Sequence, residues 1–311
     1  MTTILGTQYL TTEQFRSLEA NGLDLTDWSD AQLDELLAAA SRMVDSYVND
    51  TFTLTKYSDE RLVWYMNSHR VYPVNRPILF AIELRLYFTA MSVAIFEAGS
   101  LFHHPREDYI ALTSFALQPQ ISIIPALIGT GLRQIVAGAT YIAGYGTPVA
   151  AMSDGAPPVA VTLQEAVVQV STSTIGSETW DVSDASPFAV DDLIHIGTED
   201  ALVEDVDDAA VPNTITVLRC GNNTAHAIGT AISIYQTSVP SDVATAVWLT
   251  AAHLIGQQGL RAEGMTGLRQ AVIGSYSISI GGDASSAGMP FVPDAAKAIL
   301  QKYRKIRVQG V

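Results

Sequence analysis

Between residues 150 and 238 the chain carries thirteen acidic residues and a single base, Arg219. The flanks differ sharply: residues 1–149 hold 15 acids and 9 bases, and residues 239–311 hold 4 acids and 7 bases. Five of those last bases fall within the final fifteen residues. A composition break of that size marks a domain boundary, with an acidic middle and a basic end.

The texture of the acidic block agrees with a separate domain. "PPVAVTLQEAVVQVSTSTIGSETWDVSD" alternates, turns and alternates again, and "DDLIHIGTEDALVEDVDD", "NTITVLRC" and "TAISIYQ" follow at short, regular spacing. Five or six short strands with turn residues between them predict a small all-β barrel or sandwich. Just before the block, "YIAGYGTP" (Tyr141–Pro148) stops at Gly144-Tyr145-Gly146, and its Pro announces a helix that does not come. That helix arrives only at "SDVATAVWLTAAHLI" (Ser241–Ile255), behind Pro240. With residues 149–238 removed, a strand runs into a Pro-marked helix cap. An inserted domain requires ends that meet in space. The expected organisation is therefore a core of residues 1–150 and 239–311 carrying an inserted acidic β domain, residues 151–238.

Outside the block, two capping boxes mark helices. Thr11 and Gln14 open a short one, with Asn21-Gly22 as its stop. Ser29 and Gln32 open a longer one, in which Leu33, Leu36, Leu37, Ala40, Met43, Val44 and Tyr47 recur at three- and four-residue spacing. From Phe52 to Tyr145 short apolar or alternating runs broken by Pro and Gly read as strands: "RLVWYM", "VYPVNRPILF", "IELRLYF", "YIALTSFALQ", "QISIIP" and "RQIVAGATYIAGY". "FTAMSVAIFEAG" fits a strand or a helical turn. Later, "IGSYSISI" alternates as a strand, and a helix runs from Pro293 to Tyr303 ahead of a basic extended tail. The fold class expected from this pattern is α+β: a helical core with short strands, plus the inserted all-β domain.

With 311 residues and 48% hydrophobic content the chain has material for two cores. No window supplies the ~18 uninterrupted apolar residues of a membrane span, so no membrane partner is expected. The N-terminus lacks a secretory pattern, and the lone Cys220 precludes an internal disulfide framework. These features predict assembly in a cytoplasm.

The order of segments outside the acidic block resembles the head–tail connector, or adaptor, proteins of long-tailed bacteriophages. The residues that carry the resemblance are "AASRMVDSYV" in the long N-terminal helix, "YPVNRPI", "YIAGYGTP", "VPSDVATAVWLTAAHLI", "IGSYSISI" and the closing "PDAAKAILQKYRKIRV". The acidic block departs from that pattern, since most adaptors are shorter. The resemblance implies a structural virion protein at the head–tail junction, a ring beneath the portal matching its twelve copies. It also implies a portal protein above, a stopper or tail terminator below, and a channel through which genome DNA passes without specific binding. The helices Ser29–Asn49 and Ser241–Gly256 would form the subunit core. The C-terminal helix and tail would dock on the portal through Lys302, Tyr303, Arg304, Lys305, Ile306, Arg307 and Val308. In that tail Tyr303, Ile306 and Val308 interleave with Arg304, Lys305 and Arg307, as in a strand added to a partner's sheet edge with its charges toward an acidic rim.

Residues that suggest chemistry carry less. His103 and His104 point to different faces of a strand and lack a third ligand. His195 reads as a strand-face residue, His226 as a turn hydrogen-bonder, His253 as part of a helix face, and Cys220 as inert. Asp191-Asp192, Glu199-Asp200, Glu204-Asp205 and Asp207-Asp208 do not form a calcium loop and read as a charged edge that discourages aggregation. P-loop, dinucleotide, nucleophile-elbow and zinc-protease signatures are missing from the sequence. No enzyme activity, catalytic residue, cofactor or metal is expected. The alternatives are a carbohydrate- or receptor-binding virion module with the β domain as binding face, or another neck or tail-completion protein.

Overall fold

The computed structural model describes residues 8–17, 25–65, 70–89, 92–104, 109–112, 134–153, 158–168, 177–219, 224–262, 270–273, 276–279 and 292–304. The chain divides into two compact units. One is the continuous stretch Thr53–Ser238; the other joins Met1–Phe52 to Val239–Val311.

The continuous unit holds two antiparallel sheets. The first is built from β1 (Thr55–Tyr65), β2 (Arg70–Val71), β3 (Ile78–Thr89), β4 (Ser92–Glu97), β5 (Leu101–His104), β6 (Tyr109–Leu112) and β7 (Gln134–Ala143), in the order β4-β3-β7-β1-β2-β6-β5. Alternation along the strands turns Leu62, Trp64, Leu84, Leu86, Phe96 and Ile110 to one buried face. The run "FTAMSVAIFEAG" resolves into β4 followed by a 3-10 turn, Ala98–Ser100. "QISIIP" lies outside the described residues. The loop "YPVNRP" is held by the strands beneath it: the Tyr141 hydroxyl donates to Glu60 (2.6 Å), and the backbone and side-chain amides of Asn75 donate to Tyr141.

The second sheet comprises β8 (Gly146–Ala150), β9 (Ser177–Val182), β10 (Leu193–Ile196), β11 (Glu199–Asp207), β12 (Asn213–Arg219) and β13 (Ile232–Thr237), in the order β8-β13-β10-β11-β12-β9. Its core gathers Trp180, Val182, Ile194, Ile196, Val203, Ile215, Val217 and Ile232. Phe80, Ile142, Leu193, Leu202 and Leu218 form a further cluster shared by the two sheets. β8 and β13 bring the ends of the acidic block together: Gly146 pairs with Thr237, and the Ser238 amide donates to the Tyr145 carbonyl at 3.0 Å. The entry strand meets them too, because the Leu54 amide donates to Thr237 Oγ1 at 3.4 Å.

The discontinuous unit contains α1 (Thr12–Ser17), α2 (Asp30–Val48), α3 (Ser241–Ala262), α4 (Asp294–Leu300) and the hairpin of β14 (Gln270–Ile273) and β15 (Tyr276–Ser279). Both predicted capping boxes form, Thr11 with Gln14 and Ser29 with Gln32. Asn49 stops α2 in the left-handed region (φ 58°), a conformation Asn tolerates. Leu33, Leu37, Ala40 and Val44 of α2, Val243, Ala246, Val247 and Ala251 of α3, and Ala296 and Leu300 of α4 are all fully buried. A 3-10 turn, Gln301–Tyr303, ends the described chain.

The expected fold class requires correction. Among the described residues the protein is mostly β, with 43% strand against 27% helix and three antiparallel sheets, and it is not built on a helical core with short strands. The physical reason lies in residues 55–143, whose β1, β3 and β7 are 10 to 12 residues long and pair into one sheet with its own apolar face. The buried cluster on that face is made of residues from the seven strands themselves, with no helix contributing to it. The division between units falls at Phe52/Thr53 and Ser238/Val239.

Candidate functional site

Of the seven tail residues singled out by sequence, Lys302, Tyr303 and Arg304 are described, while Lys305, Ile306, Arg307 and Val308 lie outside the described residues. Those that can be placed are held within their own unit. The Tyr303 hydroxyl donates to both oxygens of Asp242, at 2.9 and 3.1 Å, and Lys302 Nζ lies 2.5 Å from Asp242 Oδ2. The Tyr303 ring packs edge-on against Phe52 at 5.2 Å, and the Arg304 guanidinium lies over the Tyr47 ring at 5.4 Å.

Asp242 stands in the first turn of α3, where a carboxylate is favoured by the helix dipole. Burial raises its carboxyl, but hydrogen bonds from Lys302 and Tyr303 outweigh that and hold it below the ordinary range. The same bond to Asp242 raises Lys302. Beyond this anchor the backbone of Arg304 itself is extended (φ −65°, ψ 119°). Tyr303→Phe keeps the ring against Phe52 and removes the bonds to Asp242. It should cost about 1 kcal/mol and speed amide exchange over residues 294–304; unchanged exchange there would show that the anchor does not hold the turn.

The second cluster was not legible in the sequence. Arg219, the sole base of the acidic block, ends β12 only 2% exposed, against Glu199 of β11 at 4% and His226 at 7%. Its Nε and Nη2 donate to the two oxygens of Glu199 (2.7 and 2.8 Å). Nη1 donates to Glu178 (2.7 Å) and the Val168 carbonyl (3.1 Å), and Nη2 also to the Thr224 carbonyl (2.6 Å). Those are five bonds for the five donors a guanidinium carries, which leaves none for a ligand. Glu199 further accepts from the Thr224 amide (2.8 Å) and lies 3.0 Å from His226 Nε2. Burial raises Glu199, yet Arg219, Thr224 and His226 together hold it below its ordinary value. The cluster fastens the Thr224–His226 loop to the sheet. Glu199 thus corrects the reading of the acid pairs as a solvated edge. Glu204, Asp205, Asp207 and Asp208 are not buried and fit that reading, with Glu204 on a β11 bulge.

A third cluster lies on the other face of this sheet, where Ser233, His195 and Asp200 sit side by side across β13, β10 and β11. His195 Nδ1 is 2.7 Å from Asp200 Oδ1, and the Tyr235 hydroxyl donates to the same oxygen at 2.9 Å. No hydrogen bond joins Ser233 to His195 among the described residues, and the row is a cross-strand polar tie. Among the described residues no group of three or more His, Cys, Asp or Glu could hold a metal, and no helix is long and apolar enough to cross a membrane. Cys220 lies outside the described residues. His253 is buried on α3, and that burial lowers its ring's proton affinity.

No protein-family model, curated protein or solved structure matches this chain.

Proposed function

We propose that this chain is a structural virion protein of a long-tailed bacteriophage: an adaptor that forms a ring beneath the portal and joins head to neck. The observation that carries the reading is the C-terminus. A tail whose sequence alternates basic and apolar residues follows a turn tied to Asp242 and Phe52, on a chain of net charge −15. A tail of that kind suits addition to a partner's sheet edge while its bases meet acids on the rim. The order of sequence segments supports the same reading. The mostly β architecture differs from the helical core the resemblance implied, so the support rests on the tail and not on the fold. Twelve copies would match a portal ring, and the acidic surface would oppose counterion-release binding, letting DNA pass without sticking.

Electron microscopy of this protein mixed with the portal ring from its own genome tests the proposal. The comparison chain should end at Arg304, because Ala296 and Leu300 are fully buried and a cut before α4 would damage the core. A layer with portal symmetry, lost on truncation at Arg304, is the expected result. No layer with the full chain, or a layer that survives the truncation, would overturn portal docking through the tail.

A further inference from the structure

The loop "YPVNRP", which joins β2 to β3, is tied down at its backbone and open at its side chains. The Val74 amide donates to Glu60 at 3.3 Å, and the Asn75 amide donates to the Tyr141 hydroxyl at 3.4 Å. Arg76 Nε donates to the Pro73 carbonyl at 3.0 Å, and the Pro77 carbonyl accepts from the Gly144 amide at 3.0 Å. The Tyr72 ring packs edge-on against Tyr109 at 6.0 Å, and the Arg70 guanidinium lies over that same Tyr109 ring at 4.1 Å. On this frame Tyr72 is 44% exposed and Val74 is 56% exposed. Tyr and Arg are the side chains that most often anchor protein interfaces. A frame already held in place has less freedom to lose on binding.

The charge of the loop runs against that of the chain. Residues 62–82 contain Arg70 and Arg76 and no acid, within a chain of net charge −15. The opposite combination occurs at one end of the second sheet. Glu204, Asp205, Asp207 and Asp208 are exposed along β11 and the turn after it, and Val211 in that turn is 97% exposed. Arg219, the one base of the block, is bound to Glu178 and Glu199 and cannot answer them. Among the described residues no base pairs with any of those four acids, and no ion pair joins them to the loop. Loop and acidic turn belong to the same compact unit, so each is left to meet its complement on another molecule.

We propose that the "YPVNRP" loop docks on the acidic β11–β12 turn of a second copy of this chain. Arg70 and Arg76 meet Asp205, Asp207 and Asp208, while Tyr72 and Val74 cover Val211. Opposite charges steer and orient such a contact, and the apolar side chains exclude water from its centre. Two different patches on one unit make a head-to-tail contact, which closes into a ring or runs on as a filament. In the ring proposed above it is the lateral contact between neighbours, and it does not depend on portal docking. The exposed Val74 and the chain's net charge favour a protein partner over a nucleic acid, whose phosphates the acids would repel.

Sedimentation of the full chain over a series of protein and salt concentrations tests this. Species heavier than one chain should form, and they should weaken as added salt screens the charges. Tyr72→Ala with Val74→Asp should weaken association by about thirtyfold or more, the scale of an interface anchor. Asp205→Lys with Asp208→Lys should do the same from the other side. Each variant keeps one patch intact, so a mixture of the two should regain a single contact and stop at a one-to-one dimer. A chain ending at Arg304 should associate like the wild type, which separates this contact from docking through the tail. A wild type that stays monomeric overturns the proposal, also where the loop variant instead loses binding to the portal ring or to duplex DNA. Wild-type association in either variant overturns it too, as does a mixture without dimer or a loss of association on truncation at Arg304. The acidic-turn variant and the salt series decide the matter even if the loop variant fails to fold.

Discussion

Arg219→Met should lower the stability of the Thr53–Ser238 unit by about 3–5 kcal/mol, the cost of breaking a buried ion pair from one side. The loss comes less from the attraction removed than from what remains. Glu199 would be left 4% exposed with its charge facing a thioether, and the Val168 and Thr224 carbonyls would lose their donor. Replacing both partners, Arg219→Met with Glu199→Leu, should recover much of the loss, because a well-packed apolar pair is often as stable as a buried ionic one. Urea unfolding followed by circular dichroism measures both; a single-variant loss below about 1 kcal/mol would mean that the cluster is not holding the loop. The pH dependence has a definite sign. Glu199 titrates lower in the folded unit than when unfolded, so its contribution is fully present above the ordinary Glu value and is lost as pH falls through the folded one. That contribution should vanish in acid for the wild type and be missing from the double variant.

Gly144→Val should cost about 2–5 kcal/mol, combining backbone strain with a steric clash. Gly144 adopts φ 129°, a region L side chains rarely enter, and a Cβ there would stand 2.1 Å from the Thr53 carbonyl oxygen. The atoms it would meet are all backbone of Thr53 and Leu54, which cannot swing aside as a side chain can. Gly146 is the control. Its φ is not in the strained region, and an added Cβ meets the ends of the Leu54 side chain at 2.9 and 3.0 Å, which a rotamer change can relieve. Gly146→Ala should cost about 1 kcal/mol or less. Equal losses at the two positions in thermal melts would show that the corner is not the constraint.

Local elements were legible because their causes are local. Ser29 with Gln32 and Thr11 with Gln14 announce helix starts three residues apart, and the 3.6-residue recurrence of Leu33, Leu37, Ala40 and Val44 names the buried face of α2. The turn-punctuated runs of the acidic block likewise correspond to β9–β13, since period-2 alternation is a property of a single strand.

Pairing is not local, and there the sequence misled. "RLVWYM", "IELRLYF" and "RQIVAGATYIAGY" were each legible as strands, but nothing within any one of them says that β3, β7 and β1 lie side by side. The weight of the fold therefore shifted from helices to sheets. Arg219 shows the same limit for the polar clusters: its burial depends on Glu178, Glu199 and Thr224, which lie 41, 20 and 5 residues away along the chain. In the tail the sequence shows basic residues alternating with apolar ones, while only the tertiary structure decided that Lys302 and Tyr303 are spent on Asp242. What the sequence determined alone was the set of capped helices, alternating strands and charge blocks, because those follow from backbone period and composition. The tertiary structure decided which strands share a sheet, which charges are buried and where the units divide, because each depends on groups that only folding brings within hydrogen-bond reach.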